Sequence, residues 1–275
     1  MTLSNRNRLF VCLTVISIII IILIVVFNAL SFYNGTLELF PEGKSTTPFY
    51  SKSFLLRYSP NSVVIACFLM LLYVPFISGV ILVYFEKTNL HEISYFGIFL
   101  LTCLIEGLRI VVPLFTLWKD NTVIMIIISR LVFFSRISSS IIMLFIALLN
   151  QDSREHHEIR SNLFIMLFIS ILTCVIPINS MQILSTCFYP YAYYNSFVFL
   201  RIFFIALTVF TYYMISTKYG IPEYKKTALY TLMIMTGLFF LQEGDSVLYI
   251  TTGGFLFYFG TYLYLKNIHH YYLWK

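Results

Sequence analysis

Residues 227–265 read TALYTLMIMTGLFFLQEGDSVLYITTGGFLFYFGTYLYL, two apolar runs divided by Gln242-Glu243-Gly244-Asp245-Ser246. Two acids and a glycine within five residues are foreign to the middle of a lipid-facing helix. The stretch therefore reads as two spans joined by a tight turn at a membrane face, with a single bent or re-entrant segment as the rival. The choice sets the parity of the chain. Two spans here bring the total to eight and put both termini on one side; one brings it to seven.

Upstream, apolar runs fall at 9–30, 62–85, 93–117, 123–149, 163–183 and 194–215, and with 227–241 and 247–265 they make about eight spans. The chain reads as one all-α polytopic bundle over 1–275 with an external loop at 31–61. Each span needs ~20 apolar residues at 1.5 Å rise. The 275 residues then leave no room for an ordinary soluble domain. Composition agrees: 59% of residues are hydrophobic and 11% charged, with mean hydropathy +0.86, which a water-exposed surface does not sustain.

Lys and Arg outside the runs test the count independently. Ten fall on one side (Arg6, Arg8, Lys87, Arg154, Arg160, Lys218, Lys225, Lys226, Lys266 and Lys275) and four on the other (Lys44, Lys52, Arg57 and Lys119). The bias makes both termini cytoplasmic. It also accounts for the net charge of +6 without a nucleic-acid partner, for which there is neither basic surface nor motif. The membrane expected is a plasma membrane or a bacterial inner membrane.

Arg6 and Arg8 ahead of the first run resemble a signal peptide, and Ala29-Leu30-Ser31 has the residue spacing of a cleavage site. The run exceeds an h-region of about 7–15 residues, so a retained anchor is the reading, with cleavage as the alternative. Asn34-Gly35-Thr36 is a glycosylation sequon in the external loop. Tyr189, Tyr191, Tyr193 and Tyr194 read as an interfacial aromatic belt. Pro75, Pro113 and Pro177 lie inside spans and predict kinks, and Gly253, Gly254 and Gly260 predict close packing of the last helix.

Five ionisable residues sit deep in spans: Glu106, Arg109, Arg130, Arg136 and Arg201. Each is costly there unless paired or hydrated, so each is a functional candidate. Glu106 and Arg109 are i and i+3 on one helix face. Folding the third and fourth spans as a hairpin makes residue numbers at equal depth sum to about 240. Arg136 then comes within reach of Glu106, and Arg130 within reach of Arg109, with Arg201 at the depth of Arg130. One acid against four arginines suggests an anionic partner, a carboxylate, phosphate or lipid headgroup, held by guanidinium forks, with Ser135, Ser138, Ser139 and Ser140 nearby. The competing reading is an internal ion pair, with Arg130 and Arg201 reaching lipid phosphates.

No cofactor or metal is expected. The five cysteines lack ligand spacing, and the His156-His157 pair is wrongly spaced for a helical metal site. No Gly-rich phosphate loop or nucleophile elbow occurs. The function that fits is a ligand- or lipid-sensing membrane module, whose output would need a separate protein partner because the chain ends after its last span. A carrier or flippase for an anionic small molecule or lipid is the alternative, and an intramembrane enzyme the third.

Overall fold

The computed structural model describes residues 3–33, 58–88, 90–117, 122–149 and 158–273. Most of the external loop, including the sequon at Asn34, and the His156-His157 pair lie outside the described residues.

The chain is all-α. Its helices are α1 (Leu3–Tyr33), α2 (Pro60–Phe85), α3 (His91–Gly107), a short α4 (Val111–Leu114), α5 (Thr122–Leu149), α6 (Glu158–Val175), α7 (Tyr194–Tyr219), α8 (Pro222–Gln242) and α9 (Val247–Leu273). Among the described residues, five segments, Leu3–Leu30, Pro60–Phe85, Glu92–Leu114, Thr122–Leu148 and Tyr194–Tyr219, are long and apolar enough to cross a bilayer. The residue distribution inverts that of a soluble protein. Val15, Ile19, Ile22, Phe76, Val83, Phe203 and Phe210 are exposed, whereas Arg6, Arg109 and Arg136 rank among the largest fully buried side chains. Such a surface is stable only against lipid, so this is a multi-pass membrane protein.

Helices α2, α3, α5, α7, α8 and α9 pack in that order as a closed ring, α9 returning to α2. α1 lies outside against α2 and α3, and α6 outside against α5. Fully buried aromatics fill much of the ring. Tyr73 stacks on Phe257 at 4.0 Å and Phe96 on Tyr264 at 5.8 Å. Their hydroxyls are satisfied internally, Tyr73 with Thr261 at 2.9 Å and Tyr264 with Tyr212 at 3.3 Å.

α1 is fastened at its start. The Arg6 guanidinium donates to the carbonyls of Phe85 and Thr88, and Asn7 Nδ2 to that of Glu86 at 3.0 Å. These carbonyls belong to the last residue of α2 and to the turn that follows it. These bonds join the start of α1 to the end of α2.

α8 and α9 form the tightest hairpin. A Cβ on Gly237 would lie 2.4 Å from the Phe257 nitrogen, and one on Gly253 would lie 3.1 Å from the Gly237 oxygen. Gly260 makes a similar approach to Ile234, but Gly254 faces Leu69 with ordinary space. Two of the three glycines singled out in the sequence serve this seam, and Gly237 completes it.

The prolines divide. Pro75 is inside α2. Pro113 has no N–H for the Arg109 carbonyl, and the chain tightens there into a 3-10 turn over Leu108–Ile110. Pro177 lies beyond the end of α6 at Val175, where the bias of the preceding residue against helix accounts for the stop. Residues 176–193 are a loop pinned by Asn179 N–H to Pro190 O (2.8 Å) and Ala192 N–H to Pro177 O (2.9 Å). Tyr189 and Tyr191 are buried within it, not placed in an interfacial belt; Tyr193 is exposed.

Candidate functional site

The 3-10 turn at the end of α3 keeps Glu106 and Arg109 pointing into the ring, where both are fully buried. Glu106 Oε1 lies 3.3 Å from Arg109 Nη1 and 3.1 Å from Arg136 Nη2 on α5. Ser135 Oγ donates to the other carboxylate oxygen at 2.8 Å. Ser139 and Ser140 instead bond the Arg136 carbonyl on their own helix, as serines within helices commonly do. The Ser138 hydroxyl is buried without a partner among the described residues.

The 242–246 turn reaches this cluster. It is present as the sequence suggests, but it is not at a water-facing surface: Gln242, Gly244, Asp245 and Ser246 are buried, and Glu243 retains only 12% side-chain exposure. Arg136 Nη1 donates to Glu243 Oε1 at 2.8 Å and Nη2 to the Gln242 carbonyl at 2.6 Å. Arg109 Nη1 donates to the same carbonyl at 2.9 Å. Arg201 on α7 donates to the Gln242 side-chain oxygen and, at 3.4 Å, to Glu243 Oε1. The Tyr194 hydroxyl donates to Glu243 Oε2 at 2.7 Å. The turn is therefore inset among the charged side chains of α3, α5 and α7. An inset turn also explains why the seventh apolar run is short.

The 176–193 loop covers the cluster. The Phe188 ring lies 4.5 Å from the Arg136 guanidinium carbon, Ser185 Oγ donates to Asp245 Oδ2 at 3.1 Å, and Tyr191 stacks on Phe133 at 3.9 Å. Burial pushes the Tyr191 phenol up to about 12, so it is a neutral group beside the arginines at physiological pH. Cys187, which is buried, and Tyr193, which is exposed, hold positive φ of 64° and 59°, a strained backbone for non-glycine residues.

The structure brings together Glu106, Arg109, Arg136 and Arg201. Arg130 is elsewhere: its Nη1 donates to the carbonyls of Thr173 and Cys174 at the end of α6, a cation at a helix C-terminus. The charge inventory changes accordingly. Three guanidinium groups meet two carboxylates, and Asp245 is buried two residues beyond Glu243. A large excess of buried cation is no longer the argument for an anion. What distinguishes the arginines is saturation. All three Arg136 nitrogens have acceptors, whereas Arg109 Nη2 and Arg201 Nε are buried with none among the described residues.

Glu243 is the member that counting charges inside apolar runs overlooks, because it sits in a turn. The available signal was the turn's brevity: five residues with two acids between membrane runs have little chain with which to reach water. No protein-family model matches the chain, and no curated protein or solved structure is similar to it.

Proposed function

We propose that the chain crosses the membrane eight times with both termini cytoplasmic, and that it is a sensing module binding an oxyanion, a carboxylate or phosphate, at Arg109 and Arg201. Two buried guanidinium donors without acceptors among the described residues carry this reading. Leaving such a donor unmet costs ~1–3 kcal/mol, more for a charged group, and an anionic oxygen would recover it. The aromatic packing of the ring favours a bound ligand over a carried one, since alternating access needs a central site that opens to each side in turn. A second reading, a purely structural ion clamp, is supported by the saturation of Arg136.

Thermal unfolding in neutral detergent at fixed ionic strength separates them. Phosphate or acetate is expected to raise the midpoint in the unsubstituted protein and in Arg130→Gln, and not in Arg109→Gln or Arg201→Gln. At ~100 times Kd the gain is ~2.7 kcal/mol, or roughly 5–10 °C for a chain of this size. If neither anion shifts the midpoint more than chloride does, the clamp reading replaces the sensing one. Flux of the stabilising anion into proteoliposomes above that of empty liposomes would make the protein a carrier.

A further inference from the structure

A second feature lies on the lipid-facing side of the ring, away from the charge cluster. Between α2 and α9 runs a groove of about 410 Å³ lined chiefly by Phe76, Val80, Tyr84, Tyr262, Lys266 and His269. Its volume is within the ~300–1,000 Å³ usual for ligand sites. The two helices run parallel here, as the Tyr73–Phe257 stack and the Tyr84–His269 contact at 5.7 Å show. Phe76 and Tyr262 thus mark the groove's deep end, and His269 its mouth, beside the last turn of α2.

The lining is graded along the same axis. The deep end is apolar, with Phe76 60% and Tyr262 55% exposed, far more than a packed seam would leave. The mouth carries Lys266 and His269, i and i+3 on α9, with Lys87 exposed just beyond α2. Glu86 is the nearest acid along the chain. His269 is held in place by edge contacts with Tyr84 and with Phe85 at 5.4 Å, and Lys266 Nζ lies 5.9 Å from the Tyr262 ring. This is the polarity of a phospholipid, hydrocarbon at depth and negative charge at the interface. By the Lys and Arg count it is also the cytoplasmic end, where anionic lipids attract basic side chains.

We propose that this groove is a binding site for one anionic phospholipid, its acyl chain along Phe76 and Val80 and its phosphate at Lys266 and His269. The chemistry selects for headgroup charge, because a zwitterionic lipid of the same chain length fills the groove equally but gains less at Lys266.

Native mass spectrometry in neutral detergent, with phosphatidylglycerol or phosphatidylcholine of identical chains added, tests the site. The expected result is one phosphatidylglycerol retained about five- to tenfold more than phosphatidylcholine. The preference should disappear in a Lys266→Gln, His269→Gln double variant, and retention of both lipids should fall in Val80→Trp, which fills the groove. Lys266 is exposed and Val80 and His269 are half-buried, and unchanged unfolding midpoints would verify that the variants fold. Arg201→Gln should leave retention intact, so failure of the oxyanion site and failure of this one are distinguishable. Equal retention of the two lipids, or loss in Arg201→Gln but not in the groove variants, would overturn the proposal.

Discussion

Leucine in place of Glu106 is expected to destabilise the protein by ~3–5 kcal/mol, the cost of removing one partner from a buried ion pair. Glu106 contacts Arg109 at 3.3 Å and Arg136 at 3.1 Å, and all three side chains are fully buried. Its loss leaves two fully buried guanidinium groups facing an apolar neighbour. Arg136 keeps Glu243 and the Gln242 carbonyl, but Arg109 keeps only that carbonyl and Cys67 Sγ, at 3.3 Å. The strain should therefore concentrate on Arg109. Glu106→Gln retains an acceptor oxygen and should cost less than leucine. Thermal unfolding in detergent would read the leucine effect as a fall of roughly 6–20 °C. A fall under about 2 °C, within the usual scatter of surface substitutions, would mean that the carboxylate is not ionised or not paired as described.

Gly237→Ala is the second. The added Cβ would stand 2.4 Å from the Phe257 nitrogen, 2.8 Å from the Gly253 oxygen and 2.9 Å from the Phe257 Cα. All three are backbone atoms, so no rotamer change makes room and α8 must part from α9. Overpacking of this kind costs ~1–3 kcal/mol, and occasionally more. Separation would also displace the 242–246 turn that both helices position, so oxyanion stabilisation should weaken along with the fold. Gly79→Ala is the control: nothing lies within 4 Å of its Cβ, and better helix propensity should give ~0.5–1 kcal/mol of added stability. Comparable unfolding midpoints for the two variants would contradict the α8–α9 seam.

Much of this arrangement follows from local rules. Apolar run length marks where the helices are, because in lipid a chain must satisfy its backbone internally. The hairpin depth count anticipates the approach of Arg136 to Glu106, since it needs only the helical rise and a short turn. Arg130 shows where such counting stops. Depth places it near the cluster, but rotation about the α5 axis decides which neighbour it meets, and it meets the carbonyls at the end of α6. Glu243, Tyr189 and Tyr191 were obscured for another reason. Each belongs to a connection between helices, and connections are read by default as exposed. Here the 176–193 loop folds down over the ring and the 242–246 turn is inset beneath it, a tertiary outcome that no periodicity encodes.

The inset turn and the site both depend on 227–265 crossing the membrane twice. Sidedness of the two termini tests that parity most directly. With a fluorescent protein fused before Met1 in one version and after Lys275 in another, protease added outside sealed, right-side-out cells should spare both tags and cleave both only after permeabilisation. One tag protected and the other digested would make the number of crossings odd, and the proposed count of eight spans would be wrong.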